Sequence, residues 1–544
     1  MSRMNTAEAV IESLLTHGID TLFALPGVHN DPLFDAAYKA AGRIRTIHPR
    51  HEQTAAYMAL GAALVTGRPQ AFAVVPGPGI LNASAALLLA SAMGAPVIAL
   101  VGQIPSFAID RGHGHLHEIH DQIGLLRHIV KSGERIRSPA EASRCVALSI
   151  ETAMSGRTGP VALECAIDVW GQAAEVALTA PLPVAAPCAD SDAIAAAAAI
   201  LAGAKRPLIV VGGGALGAGP EVQAVAELLH APVSSFRRGR GTIPTAHPLA
   251  VSFTEGHALW KTADAVLAIG TRLYWQQSNW GVDDSLPIVR LDIDPDEIGR
   301  FRAPACGLLG DAAVTLRALL PALKGHWRPN PELPAVRAAF ADRLDRQQPP
   351  MAFLRAIRSA LPDDGIYVED VTQVGFASRL AFPVPGPRLF LSPGYQDTLG
   401  WGYGAALGAA AAAPNRKVVL VCGDGGFMFQ AGELATAMHH KLPVVAVVFD
   451  DGAFGNVRRI QAQGYGNRSI ASDLTNPDFV RFAESFGMAA FKATSPDALE
   501  HALRTAFALN APALVHVPVG EMPSPWDMIL LPRVRGTEGR PALP

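Results

Sequence analysis

The sequence predicts an α/β protein of three doubly wound domains, each built on a parallel sheet, and three observations predict it. Continuous apolar runs such as AFAVV, VIALVG, PLIVVG, VVLVC and VVAVVF read as strands buried on both faces, and they alternate with helical stretches. Two Pro-rich segments, ALTAPLPVAAPCADSD and HWRPNPELP, interrupt this rhythm at intervals of about 160 residues, an ordinary domain length. With 49% hydrophobic and 17% charged residues, a chain of 544 residues has material for several cores and lacks the composition of disorder.

Taken in order, residues 1–180 form the first predicted domain. Asn5 and Glu8 are a candidate cap pair for a helix with Val10, Ile11, Leu14 and Leu15 on one face and Gly18 as its stop. TLFALPG, IRTIHP, AFAVVPG, VIALVG and VALECAIDV follow as strands. The apolar stretch Ile80 to Gly102 is long enough to consider as a membrane span. Asn82, Ser84, Ser91, Gly94 and Pro96 divide it instead into a helix and a buried strand. Residues 190–325 repeat the pattern with RPLIVVGGG, APVSSF, AVLAIG and PIVRLDID. Residues 350–535 do so with IYVED, KVVLVCGDGG, LPVVAVVFDD and ALVHVPV, and with LGWGYGAALGAAAAAP as a closely packed helix.

The 45 basic and 48 acidic residues nearly cancel, which gives no electrostatic case for a nucleic-acid partner. Five cysteines without CxxC spacing argue against a disulfide framework or a zinc ribbon and fit a reducing cytoplasm. MSRMNTAEAVIESLLTHG has acidic residues within its apolar stretch, so no secretory signal and no membrane attachment are expected.

Gly423-Asp424-Gly425 and Asp450-Asp451 stand where successive strands end, and parallel strands place both ends on one sheet edge. Two such carboxylates can hold a hard cation, and glycine N–H groups can approach a diphosphate. Either turn alone is ordinary. Their separation, 24 residues between Gly425 and Asp450, resembles the diphosphate/magnesium motif of thiamine diphosphate enzymes. GDGGFMFQAGELATAMHHKLPVVAVVFDDGAFGNVRR is similar throughout to the acetolactate synthase branch of that superfamily.

The resemblance implies Mg²⁺ ligands from the side chains of Asp424 and Asp451 and the carbonyl of Ala453, with Gly423, Gly425 and Gly426 lining the diphosphate of thiamine diphosphate. The chain departs from the family in having Asp450-Asp451 where paired asparagines are usual, which adds negative charge beside an anionic cofactor. In SPGYQDTLGWGYGAALGA, Leu399 falls where relatives wedge the cofactor into a V shape, and the Asp397 carbonyl would face the exocyclic amine. EDVTQVG puts Gln373 at a diphosphate-contacting position.

In the first domain PRHEQTAAYMALGAALVTGRP is similar to the RHEQ signature of the same branch and places Glu52 at a helix start. The resemblance implies that Glu52 hydrogen-bonds N1′ of the aminopyrimidine and promotes proton loss from thiazolium C2. VVPGPGILNAS and LVGQIP would bring Gly77, Asn82 and Gln103 to the same catalytic edge. In RGHGHLHEIHDQIG, His117-Glu118 replace a Phe-Gln pair of relatives, and the pair is expected to select the acceptor or supply a proton, the carboxylate raising the charged fraction of the imidazole. A solvated loop and a zinc site at His113, His115, His117 and His120 are the other readings of this strip.

Gly212, Gly214 and Gly217 match GxGxxG after a strand, so an NADP-binding oxidoreductase is the rival from another class, with Arg237 and Arg238 near the next strand end. The same region resembles the acetolactate synthase middle domain, but SFTEGHALW and GTRLYWQQSNW are altered at the stretches that contact FAD, which leaves FAD an option and not an expectation. The resemblance runs from Thr6 to Pro518 and implies pyrimidine-binding, central and diphosphate-binding domains. It further implies a decarboxylating carboligase acting on small 2-oxo acids, as a homodimer with sites shared between subunits or a homotetramer. A simple decarboxylase or 2-hydroxyacyl lyase of the same superfamily is the alternative.

Overall fold

The computed structural model describes residues 2–325 and 327–536; the first residue of HWRPNPELP and the last eight of the chain lie outside the described residues. It contains three six-stranded sheets, each wholly parallel and flanked by helices. In the first, Arg45–Ile47, Thr21–Ala24, Gln70–Val74, Val97–Gln103, Val161–Ala166 and Ser132–Ile136 lie side by side. The third runs Phe390–Leu391, Ile366–Glu369, Val418–Gly423, Val444–Asp450, Ala513–Pro518 and Ala489–Lys492. Numbered by appearance in the chain, both have the order 2-1-3-4-6-5, whereas the middle sheet has 3-2-1-4-5-6 around Pro207–Val211 and Ala265–Ile269. The α/β, doubly wound reading of the sequence therefore holds in all three units.

Local signals decide several elements. Asn5 and Glu8 form the expected capping box: the Asn5 side chain accepts from the Glu8 N–H at 2.7 Å, and the Glu8 carboxylate accepts from the Asn5 N–H at 3.0 Å. The Ile80–Gly102 stretch divides into the helix Pro78–Met93 and the buried strand Val97–Gln103. Among the described residues no helix is long and apolar enough to cross a membrane. The edge strands Ser132–Ile136 and Ala489–Lys492 are absent from the sequence reading, because SGERI is mostly polar and AAFK is short and lacks β-branched residues. Nor was the antiparallel ribbon of Ser2–Asn5 with Ala173–Val176, which ties the two ends of the first unit together.

The first and third units share one continuous apolar core. At its centre the helices Glu52–Thr66 and Gly402–Ala412 cross in backbone contact, both rich in Ala and Gly and buried on almost every side. A Cβ at Gly61 would lie 2.0 Å from the Ala405 carbonyl oxygen, and one at Gly408 would lie 1.9 Å from that of Met58. The segment after Pro518 folds back on the middle unit, where Thr254 Oγ1 donates to the Met528 carbonyl at 2.8 Å and Arg535 Nε to that of Trp260 at 2.7 Å.

Because no rotamer relieves a clash between a Cβ and a backbone carbonyl, Gly408→Ala is expected to cost about 1–3 kcal/mol, read as a lowered denaturant midpoint. Gly299→Ala, where nothing lies within 4 Å, is expected to stay within about 0.5 kcal/mol.

Candidate active site

The strand Arg45–Ile47 leads through His48, Pro49, Arg50 and His51 into the helix that begins at Glu52. His51 caps that helix, its Nδ1 accepting from the Gln53 N–H at 3.1 Å. The third unit holds the same turn from outside. The buried Glu433 carboxylate accepts from the Arg50 N–H at 3.0 Å and from the His51 N–H at 3.1 Å. Glu52 Oε2 accepts from Asn82 Nδ2 at 3.0 Å, so the structure brings these two expected residues together. Gly77, with φ +57°, heads the helix that carries Asn82, and the room a Cβ would need is taken by the His117 carbonyl oxygen at 2.5 Å.

Two sequence expectations at this edge need correction. Gln103 is 1% exposed, its amide donates to Glu164 Oε2 at 3.3 Å and accepts from the Ile104 N–H at 2.8 Å, so it offers no free group to a substrate. His117 and Glu118 do not act as a pair. The Glu118 carboxylate folds back onto its own loop and accepts from the His115 N–H at 2.8 Å, which holds it below the usual carboxylate range. His117 instead stacks on His29, the ring centroids 5.0 Å apart, and each imidazole has a buried Nδ1 without a partner. Burial first, then the neighbouring His117, pushes His29 below the ordinary histidine value. His29 carried no motif, and only the tertiary fold sets it beside His117.

In the third unit the parallel register places Gly423 beside Phe449, so Asp424 and Asp450-Asp451 leave adjacent strand ends together. Asn476, from a loop that no motif marked, donates to Asp424 Oδ2 at 2.5 Å and to Asp450 Oδ1 at 2.8 Å. Asp450 Oδ2 meets His516 Nε2 at 3.0 Å. The extra carboxylate that departs from the paired-asparagine pattern is thus turned onto Asn476 and His516. Asp451 Oδ1 accepts from the Ala453 N–H at 3.3 Å. Burial, with Asp451 and Asp450 close by, pushes Asp424 up to about 7 even though Asn476 opposes the shift, and burial also raises Asp451. Crowded carboxylates drawn out of water in this way form an oxygen donor set that suits a hard cation.

Around this edge the glycines allow close approach. A Cβ on Gly425 would strike the Phe454 ring at 2.6 Å, one on Gly423 the Val371 carbonyl at 2.9 Å, and one on Gly426 the Leu399 Cδ1 at 3.2 Å, so Leu399 leans over the Asp424 turn. Gln373 opens the helix Gln373–Ala381 and has a buried Oε1 without a partner. Asp397, at φ +49°, is held by Arg379 at 2.5 and 3.0 Å and by Arg237 of the middle unit at 3.1 Å. Burial would raise the Asp397 carboxyl, but the two guanidinium groups outweigh it and hold it low.

At the switch point of the middle sheet lies a cavity of about 470 Å³, lined by Gly213, Arg238, Arg272, Asp292 and Asp311 among others. The GxGxxG glycines have a packing explanation: Cβ atoms on Gly212 and Gly214 would meet the Gly270 backbone at 2.3 and 2.9 Å, and Gly217 faces open space. The zinc reading of the His113–His120 strip fails, because among the described residues the one group of three convergent His, Cys, Asp or Glu ligand atoms is elsewhere.

Three thiamine pyrophosphate enzyme domains match in order: the N-terminal TPP binding domain over residues 4–125, the central domain over 194–319 and the C-terminal TPP binding domain over 370–517. The chain belongs to the thiamine pyrophosphate enzyme family. It is 33% identical to a probable 2-ketoarginine decarboxylase, AruI, of Pseudomonas aeruginosa, over 94% of each chain. It is also 33% identical to a probable acetolactate synthase large subunit of Methanocaldococcus jannaschii, over 94% of this chain and 92% of that protein. The acetolactate synthase isozyme 1 large subunit of Escherichia coli is 28% identical over 97% of this chain and 96% of its own. An enzyme using thiamine diphosphate replaces the oxidoreductase reading of the middle unit.

A histidine held below its ordinary value of 6.5 favours the folded state only while neutral, so its contribution is complete above that value and is lost as pH falls through it. His29→Gln is therefore expected to lose less stability than the parent between about pH 7 and 5, measured by denaturant unfolding at each pH.

Proposed function

We propose that the chain is a thiamine diphosphate- and Mg²⁺-dependent enzyme that decarboxylates a small 2-oxo acid and joins the remaining carbon unit to a second one, in the manner of acetolactate synthases. The observation that carries the reading is the pairing of Glu52 with Asn82 at one sheet edge and of Asp424 with Asp451 at another. When bound, thiamine diphosphate supplies an electron sink for the pair left when CO₂ departs. Asp424, Asp451 and the Ala453 carbonyl would hold Mg²⁺, with Gly423, Gly425, Gly426 and Gln373 about the diphosphate. Leu399 and the Asp397 carbonyl would set the pyrimidine end. Glu52 would hold a proton at N1′, with Asn82 orienting its carboxylate.

Two sheet edges that must serve one cofactor favour a homodimer with shared sites. Exposed apolar side chains support this, with Leu81 and Leu88 on the Asn82 helix and Met428 and Phe429 at the end of the Asp424 helix. Glu52→Gln and Asp424→Ala are each expected to lower turnover at least about 100-fold. Mixing the two inactive variants under subunit exchange is expected to restore part of it. Full activity in either variant, or no recovery despite proven exchange, would contradict the reading.

A second reading, release of the aldehyde without ligation, is favoured by the His29–His117 stack against Gly77. A ring nitrogen without a protein partner can pass a proton to the substrate, which competes with attack on a second 2-oxo acid. His117→Phe is expected to shift the product ratio from aldehyde towards ligation, measured with pyruvate and larger 2-oxo acids; an unchanged ratio removes the imidazole from product choice.

A further inference from the structure

Away from the proposed cofactor site, His48, His439 and His440 meet where the first and third units touch. His48 lies in the turn between the strand Arg45–Ile47 and Glu52, and the other two close the helix Leu434–His440. The three ring centroids are 4.7–4.8 Å apart pairwise, each pair edge-to-face with interplanar angles from 67° to 80°. One ring nitrogen from each lies within 4.8 Å of the others. We propose that these three imidazoles form a binding site for a transition-metal ion of the zinc class, and that the ion clamps the turn before Glu52 to the third unit.

The donor set selects the ion. Imidazole nitrogen suits Zn²⁺, Ni²⁺ or Cu²⁺, whereas Mg²⁺ wants hard oxygen ligands, and this cluster contains no carboxylate. It is therefore chemically separate from the Asp424–Asp451 edge. A tetrahedral zinc with Zn–N of about 2.0–2.1 Å holds its nitrogens about 3.4 Å apart, so a small rotation of exposed side chains closes the site. His48 and His439 are exposed, which supplies both that freedom and an entry path.

His440 Nε2 faces the turn before Glu52, accepting from the His48 N–H at 3.1 Å and lying 3.3 Å from the His48 carbonyl. An ion on Nδ1 requires the tautomer whose Nε2–H donates to that carbonyl, the usual way a backbone carbonyl orients a metal-bound histidine. Three rings packed edge-to-face at a contact between units are the competing explanation.

The test uses untagged full-length protein saturated with Mg²⁺ and thiamine diphosphate, titrated with Zn²⁺ by calorimetry and followed by thermal unfolding. One ion bound per chain and a raised unfolding midpoint are expected. His439→Ala and His48→Gln should each weaken binding at least about tenfold and remove the thermal shift, while a His113→Ala/His115→Ala double variant keeps both. With Co²⁺ in place of Zn²⁺, the visible spectrum of a nitrogen-ligated tetrahedral site should appear in the parent and be lost in His439→Ala. Absence of Zn²⁺ binding under Mg²⁺ saturation overturns the proposal, as does equal binding by the His48 and His439 variants or loss of binding in the His113/His115 variant. Because the readout is binding and not turnover, it stands or falls apart from the proposed reaction.

Discussion

Direct backbone contact between the helices Glu52–Thr66 and Gly402–Ala412 is the constraint on which the rest of the molecule depends. Helices normally pack 8–10 Å apart because side chains intervene. Here glycines at 61 and 408 let carbonyl oxygens sit where a Cβ would be. That approach merges two α/β units into one core and fixes the start of the Glu52 helix against the loops that follow the third sheet. The two units share a strand order, so each brings the carboxyl ends of its strands to a comparable place.

Polar groups then fix what the apolar contact only brings near. Glu433 satisfies two N–H groups of the turn before Glu52, and Asp370 does the same for the other helix of the pair, accepting from the Gly402 N–H at 2.9 Å. Arg379, wholly buried, joins Glu369 to Asp397, and Arg237 reaches Asp397 from the middle unit. Buried charges are stable only when paired, so these contacts specify one arrangement of the units more than they add net stability. Asp397 in turn sets the loop that carries Leu399.

The crowded carboxylates at the third sheet edge follow a different logic. Asp424 is buried, Asp451 is half-buried and both are raised, while Asp450 is drawn off to Asn476 and His516. The Asp450 carboxylate, where relatives carry an asparagine, is held by neighbours distant in sequence. The same holds across the site, where His29 and His117 from separate loops stack over the head of the Asn82 helix.

Much of this was legible in the sequence, for reasons that are local. Buried parallel strands are continuous apolar runs, the Asn5–Glu8 box lies within one turn, and GDG and RHEQ keep their residues within a few positions of a strand end or helix start. These features set the fold class, the family and the places of Glu52, Asn82, Asp424 and Asp451. Short polar edge strands such as Ser132–Ile136 left no apolar signal. Only the tertiary structure decided that Gln103 is bonded to Glu164, that Glu118 caps its own loop instead of charging His117, and that Asn476 and His516 meet the Asp424 and Asp450 carboxylates, His29 meets His117 and Glu433 meets the turn before Glu52. Each of those contacts joins residues whose partner is chosen by packing or hydrogen-bond competition and not by spacing, and a side chain's identity does not say which of several acceptors within reach it will satisfy.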